Sequence, residues 1–486
     1  MHQIVEPLST RDRNIEAIDR EQEVDAALPA TRWAPYKFKA AAVLPPAPIT
    51  PHACGGWELG EWTDDTAMAM PILRALAEGR SLDDDATLDR IVAQWVDWTH
   101  GAKDVGKQTR LVLQDLPRWN AENAAGARLA AERVHASTGR SGGNGSLMRT
   151  GPVAVGFVGD HARAALAARA ISDLTHYDVD AGDACVIWTV ANAHAINTGQ
   201  LDLEIGLRAI PVGRQQRWRE LAVEAEARMP WELDANNGRV VGAFQAAWSA
   251  ISHGESLAET LKLAVRCGND TDTVAAIAGS LAGAVYGASA LPWALQRHLH
   301  GWAGSDVVGD RRTLVEWTML ALNGRADSKG WPTAAIFPSE LRPTLVPHPL
   351  DEGVWLGDLV SLDTMPDSID GVVSLCRVGN AQAKVARANH AEVRLIDADG
   401  ANPHLDLVLT DAADAVATLR AEGREVLLHC YESRSRTAAV AALYAVRHLG
   451  ADVEEALKAL SDSTERFWPK TFLIDAVRRL AMEVAR

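Results

Sequence analysis

Between Trp331 and Leu350 the chain sets Pro332, Pro338, Pro343, Pro347 and Pro349, and the hydrophobic periodicity differs on the two sides of that stretch. Proline removes a backbone donor and disfavours helix, so 329–350 is expected to be an extended linker or surface strap. Upstream, over 52–328, the sequence is Ala-rich. Apolar residues recur at helical spacing through 73–77, 88–98, 121–134, 162–171, 181–196 and 257–265. Strand-like alternation is nearly absent there, which predicts an all-α domain. Downstream, over 351–486, short β-type runs at 354–356, 372–375, 393–396 and 426–428 alternate with helical segments at 414–419, 437–448 and 453–460. That alternation predicts an α/β domain with a largely parallel sheet. Residues 1–51 form an irregular N-terminal segment, charged at first and then rich in proline.

Charge and composition narrow the function classes. Lys+Arg 48 against Asp+Glu 64 gives −16 at pH 7. Broad nucleic-acid or anionic-membrane binding needs a basic face, so neither is expected. No apolar run approaches the roughly 18 residues of a membrane span, and the first 20 residues lack the apolar core of a signal peptide. The five cysteines are scattered without a C-x-x-C pair. A zinc cluster or disulfide framework is therefore not expected, and the chain reads as soluble and cytoplasmic. Nothing in the sequence accounts for 16 Trp against 6 Phe.

The most specific local signal is Val426-Leu427-Leu428-His429-Cys430-Tyr431-Glu432-Ser433-Arg434-Ser435-Arg436-Thr437. It is a strand, a polar loop and then an apolar helix, with Cys430 and Arg436 in C-x5-R spacing. A loop wrapped before a helix N-terminus turns successive N–H groups inward as an anion cradle. The same positive field is the setting in which a cysteine becomes a thiolate nucleophile. Arg436 can fork two donors onto phosphate oxygens, and Thr437 can hydrogen-bond the sulfur. The alternative is a buried core thiol and a surface arginine; the flanking strand, His429, Thr437 and helix argue against it. Cys376, at the end of an apolar strand, reads as core.

This stretch resembles the dual-specificity branch of the Cys-based protein tyrosine phosphatases, over roughly residues 350–485. Val354-Trp355-Leu356-Gly357-Asp358 and Val372-Val373-Ser374-Leu375-Cys376 are similar to that family's early strands. The resemblance implies a general-acid Asp upstream of the cysteine, for which Asp399 is the first candidate and Asp397 the second. One departure is Ser433, where the family usually has Gly; a side chain there is expected to disturb the cradle.

Two acidic motifs stand far apart in the first domain: Trp62-Thr63-Asp64-Asp65-Thr66 and Cys267-Gly268-Asn269-Asp270-Thr271-Asp272-Thr273. Each precedes an apolar helical stretch. Clustered carboxylates repel, so they need helix N-termini or a cation. Their oxygens are hard ligands suited to Mg²⁺ or Mn²⁺, and two clusters meeting in space could hold two metals. The alternative for either motif is an ordinary helix N-cap.

With their neighbours these motifs resemble the ADP-ribosylglycohydrolase family, over roughly residues 55–325. The resemblance implies a two-Mg²⁺ (or Mn²⁺) centre held by Thr63, Asp64, Asp65, Asp270, Asp272 and Thr273. Lys103-Asp104-Val105-Gly106-Lys107-Gln108-Thr109 is similar to a loop that supplies a carboxylate near the scissile bond, which makes Asp104 the acid/base candidate. Gly143-Asn144-Gly145-Ser146-Leu147-Met148-Arg149 resembles the family's diphosphate loop, implying Asn144, Gly145 and Ser146 as ligand contacts. Thr175-His176-Tyr177-Asp178 implies His176 near the adenosine end. The family's opening Gly-Asp-Ala-x-Gly helix and its following Glu have no match in residues 1–50; Glu58 or Glu61 could stand in by proximity alone.

The expectation is therefore an all-α ADP-ribosylglycohydrolase-like bundle followed by an α/β Cys-based phosphatase-like domain. It would be a bifunctional enzyme cleaving ADP-ribosyl N- or O-glycosidic bonds and phosphomonoesters. The alternative is an inactive ADP-ribose reader that targets an active phosphatase. Partners would be an ADP-ribosylated protein or nucleic acid, or an ADP-ribose-type small molecule, together with a phosphorylated substrate.

Overall fold

The computed structural model describes residues 56–233, 236–323, 343–379 and 381–484. The N-terminal segment 1–51 and residues 329–342 of the Pro-rich stretch lie outside the described residues. The described chain divides into two compact units. One comprises 56–288 and 299–323, and the other 289–298 and 343–484.

The first unit is helical, as its apolar spacing predicts. Its core helix, Val179–Thr198, is buried along most of its length and starts where the Asp178 side chain accepts the Asp180 N–H. It ends at Gly199, whose φ of 69° gives a left-handed cap. Small residues let neighbours approach closely: a Cβ on Gly206 would lie 2.2 Å from the Ile187 carbonyl oxygen. The tryptophans fill the space that alanines leave. Trp188 and Trp218 each meet Phe244 edge-on, with ring centroids 5.5 and 4.9 Å apart. The Trp188 indole also donates to Ile277 O at 3.0 Å, and that of Trp95 to Met68 O at 2.9 Å. A side chain with a broad apolar body and one donor suits Ala-rich helices packed around it, which accounts for part of the tryptophan bias.

The first unit also contains two strands, β1 (His300–Trp302) and β2 (Val308–Asp310), paired antiparallel. Three residues are too few for alternation to signal a strand, so the sequence gives no notice of them. They matter because Trp62 N–H donates to His300 O at 2.9 Å and the Trp62 indole to Trp302 O at 3.1 Å. The residue preceding Thr63 is thereby fixed.

The second unit holds a five-stranded sheet of β3 (Leu345–His348), β4 (Asp351–Gly357), β5 (Ile369–Ser374), β6 (His390–Glu392) and β7 (Glu425–His429). Their order is β3-β4-β7-β5-β6; β3 is antiparallel to β4 and the other pairs are parallel. β3 falls within the Pro-rich stretch. Pro347 is tolerated because β3 is an edge strand, and the register shifts beside it. The third predicted strand, 393–396, lies instead at 390–392. After Val393 the chain leaves the sheet, and the Asn402 side chain then takes both Ile396 N–H and Ile396 O. Helices Leu405–Ala421, Arg436–Leu449 and Thr471–Val484 contribute to the larger core, with Val416, Leu428, Val440 and Leu473 fully buried. Trp293, from the short segment 289–298, joins this core at 2% exposure; its backbone N–H meets the Asp411 carboxylate at 2.9 and 3.0 Å.

Candidate active sites

In the first unit the distant acidic motifs come together. Thr63 and Asp270 both stand at helix N-cap positions, yet neither makes a side-chain cap bond. Thr63 Oγ1 donates instead to Asp65 Oδ2 at 2.7 Å. Asp270 Oδ2 accepts from Asn144 Nδ2 at 2.6 Å, and the buried Thr273 stands beside both Asp65 and Asp270. Gly268 and Asn269 turn the chain into the second motif with φ of 80° and 57°. Burial first, and then the nearby charge of Asp104, Asp272 and Asp270, pushes Asp64 up to about 7. Burial and the Asp64 charge push Asp65 up to about 8. Asp270 is also raised, chiefly by burial.

The loop carrying Asp104 reaches the same place: a Cβ at Gly106 would lie 3.9 Å from Asp64 Oδ2. Asp104 itself is exposed. Gln108 Nε2 ties this loop to Ser141 O and Thr175 O, both at 2.9 Å. The 143–146 glycine loop rests on His176, which is buried, and Cβ atoms at Gly143 and Gly145 would lie 3.2 and 3.3 Å from its ring. Those glycines are needed for close approach. His176 lies beneath the loop, its Nδ1 bonded to Thr175 Oγ1 at 2.7 Å, and burial holds its pKa well below the usual histidine range. Ser146 turns its hydroxyl into the core, where Cys185 Sγ donates to it at 3.4 Å. Arg149 lies under the same loop, fully buried, 4.3 Å above the Trp95 ring, and donates to Gly145 O and Thr175 Oγ1. Burial lowers its pKa to about 9. Of the proposed stand-ins, Glu61 is bound to Lys103 and to the Glu58 N–H, and Glu58 is exposed.

Among the described residues no three His, Cys, Asp or Glu side chains already form a metal-holding group. The donor set nevertheless fits a hard cation. Asp65 Oδ1 is buried with no hydrogen-bond partner, and the charged neighbours that raise Asp64 are all carboxylates. A divalent cation would satisfy that oxygen and relieve the repulsion.

In the second unit the candidate loop follows the central strand β7 at its carboxyl end, between β4 and β5. That is the crevice position at which open parallel sheets bind ligands. Cys430 is buried at 3% exposure. The helix Arg436–Leu449 starts without a side-chain cap, leaving its first N–H groups available to an anion. Ser435, at its N-cap position, donates its hydroxyl to Asp397 Oδ1 at 2.8 Å, while Ser435 Oγ accepts the Lys470 N–H at 3.1 Å. Asp397 is thus the carboxylate tied to the loop, whereas Asp399 is exposed two residues on. Arg436 Nη1 donates to Leu375 O and Leu395 O at 3.1 and 2.8 Å, which ties the guanidinium to two backbone carbonyls. The Thr437 hydroxyl is buried with no hydrogen-bond partner. Ser433 takes φ 61°: the position does require the left-handed region, and the loop adopts it with a side chain in place.

Several site residues escape sequence reasoning. Asn237 accepts the Asp270 N–H through Oδ1 and donates to Gly268 O, holding the second acidic turn. Lys470 and Ser435 fix Asp397. A polar residue inside an apolar strand, Ser374 within Val-Val-Ser-Leu-Cys, was the one visible hint of the contacts behind Cys430.

Comparison with known proteins finds relatives of the first unit. ADP-ribosylarginine hydrolase Tri1 of Pseudomonas putida (strain GB-1) is 29% identical over 245 residues, 48% of this chain and 61% of that protein. Human ADP-ribosylhydrolase ARH3 is 25% identical over 317 residues, 54% of this chain and 81% of that protein. The chain spans about three fifths of the length of the Tri1 relatives it matches. Among solved structures, human DUSP28 is 18% identical, covering 30% of this chain and 98% of that one at a TM-score of 0.27. The family model described as ADP-ribosylglycohydrolase matches residues 15–327, which include 15–55 outside the described residues. The match takes in both acidic motifs and the three loops between them over more than half of the sequence, and the chain belongs to the ADP-ribosylglycohydrolase family.

Proposed function

We propose that the chain is a bifunctional hydrolase, with ADP-ribosyl N- or O-glycosidic bonds as substrate of the first unit and phosphomonoesters as substrate of the second. The observation that carries the first half is that Thr63 and Asp270 occupy N-cap positions without capping, and are turned instead toward buried, mutually repelling carboxylates. Thr63, Asp64, Asp65, Asp270, Asp272 and Thr273 would hold two Mg²⁺ (or Mn²⁺). When bound, such cations supply positive charge that fixes ribose hydroxyls. Asp104, exposed on its loop beside Asp64, takes a proton from water as the water oxygen bonds to the anomeric carbon, and passes that proton to the leaving nitrogen or oxygen as its bond breaks. The Gly143–Gly145 backbone, floored by His176 and Arg149, takes the diphosphate, and Asn144 positions Asp270.

In the second unit Cys430 Sγ attacks phosphorus. An S–P bond forms, the P–O bond to the leaving group breaks, and Asp397 or Asp399 gives the leaving oxygen its proton. Water then hydrolyses the S–P bond. The uncapped helix N-terminus and Arg436 bear the phosphoryl charge, and Thr437 steadies the sulfur. Free thiols at Cys185, Cys267, Cys376 and Cys430 accord with a cytoplasmic setting, and among the described residues no helix is long and apolar enough to cross a membrane. Partners would be an ADP-ribosylated protein, nucleic acid or small molecule, and a phosphorylated substrate.

Calorimetric titration with Mg²⁺ and ADP-ribose tests the first half: Asp270→Ala should weaken both, and unchanged affinities would remove the carboxylates from the site. Hydrolysis of p-nitrophenyl phosphate tests the second: activity undiminished in Cys430→Ser would end the nucleophile assignment.

A further inference from the structure

Behind Cys430 lies a continuous buried hydrogen-bond chain. His429 Nδ1 is 3.3 Å from Cys430 O. His429 Nε2 is 2.6 Å from Ser374 Oγ, and Ser374 Oγ is 2.8 Å from His390 Nε2. All three side chains are at 0% exposure. β5 lies between β7 and β6 in the sheet, so Ser374 at its end stands between the two histidines.

The proton positions follow from one atom. A carbonyl oxygen only accepts, so His429 Nδ1 must carry hydrogen. Burial lowers the His429 pKa to about 4, so the ring is neutral at ordinary pH and carries no second proton. Nε2 is then an acceptor, and the Ser374 hydroxyl must donate to it. Having spent its one hydrogen, Ser374 can only accept from His390, whose Nε2 must therefore be protonated. The charged groups facing the chain are Arg436 beside His429 and Glu392, whose Oε1 is 3.8 Å from His390 Nδ1.

We propose that Ser374 and His390 are positioning residues for the Cys430 loop, holding the His429 proton on Nδ1 so that the imidazole is locked onto the Cys430 carbonyl. The orientation of that peptide sets where the sulfur stands relative to the N–H groups of the loop. Polar groups linked in series reinforce one another in a low-dielectric interior, and loss of the middle member frees the rest. This inference deepens the phosphatase reading of the same site and rests on it for its kinetic arm alone.

Selective ¹⁵N-histidine labelling of the full chain reads the tautomers directly. The expected result is His429 protonated on Nδ1 and bare on Nε2, with His390 protonated on Nε2; a His429 proton on Nε2 overturns the chain. In Ser374→Ala, kcat for p-nitrophenyl phosphate should fall about tenfold with KM little changed, and Cys430 alkylation by iodoacetamide should slow about tenfold, the worth of one buried hydrogen bond. Ser374→Thr, which keeps the hydroxyl, should restore both. Adding His390→Phe to Ser374→Ala should cost less than about twofold more, since His390 acts through the hydroxyl already removed. Multiplying losses, or equal rates in Ser374→Ala and wild type, contradict the proposal. Should Ser374→Ala fail to fold, the wild-type tautomers decide. If the wild type leaves p-nitrophenyl phosphate intact, the phosphatase reading fails, while tautomers and alkylation still judge the chain.

Discussion

Replacing Asp65 by Asn should make the metal-free protein more stable, although it removes a residue from the candidate active site. Asp65 is 3% exposed and its carboxyl is pushed up to about 8, from an ordinary value of 3.8. The sign follows from linkage: the raised value makes this contribution to stability full below about pH 4 and lost as pH rises through about 8. At pH 7 the unfolded chain carries this carboxyl ionised and the fold carries it mostly protonated, a difference that costs the metal-free fold on the order of 4 kcal/mol. Asn removes that charge and keeps an acceptor for Thr63 Oγ1. Its amide N–H, however, would replace Asp65 Oδ1, which has no hydrogen-bond partner, at a cost of about 1–2 kcal/mol. Neutralisation therefore wins by roughly 2–3 kcal/mol, or about 5–10 °C in Tm for a unit of this size. Calorimetric scans in EDTA at pH 5, 7 and 8.5 give the test. The wild-type Tm of the first unit should fall with pH and recover in Mg²⁺, while Asp65→Asn should fall less steeply, with Asp64 and Asp270 still titrating, and gain less from Mg²⁺. A wild-type Tm independent of pH and Mg²⁺, or an Asn variant less stable than wild type at pH 8.5, would show that Asp65 is not a destabilising buried carboxyl.

Other outcomes are equally definite. Asp397→Asn should slow hydrolysis of alkyl phosphates by about tenfold or more while sparing p-nitrophenyl phosphate, because only poor leaving groups need the proton; a larger effect from Asp399→Asn would reverse the assignment. Ser433→Gly relieves a left-handed residue worth about 1 kcal/mol and gives back part of that as unfolded-chain entropy. Denaturant curves should therefore show the variant as stable as wild type or up to roughly 1 kcal/mol more so. Trp293→Ala empties a site in the second core and should cost about 3–5 kcal/mol, read as a lowered unfolding midpoint in the second unit, with Mg²⁺ binding to the first unit unchanged.

The fold was legible where periodicity runs long. The apolar spacing over 181–196 marks the core helix, and the β-type run 426–428 before an apolar helix marks β7 and its loop. Short elements escaped because three residues carry no period: β1 and β2 went unseen, and β6 was placed three residues late. The Pro-rich stretch hid β3, since an edge strand tolerates what a central strand does not. Segment 289–298 packs into the second unit although it precedes the linker, and no composition signal marks Trp293 as core to a sheet more than fifty residues downstream. In the sites, residue types and spacing pointed to Asp64, Asp65 and Asp270, because carboxylates need a reason to cluster. Asn237, Ser374 and His390 act through hydrogen bonds made only when distant segments meet.

On the proposed function, the buried carboxylates of the first unit serve metal-dependent hydrolysis of ADP-ribosyl bonds. The direct test incubates the purified chain with arginine-, serine- and nucleic-acid-linked ADP-ribose, with and without Mg²⁺, and measures free ADP-ribose. Mg²⁺-dependent release from at least one linkage, lost in Asp270→Ala, is the expected result. ADP-ribose bound but never released, whatever the metal, would contradict it and make the first unit a reader.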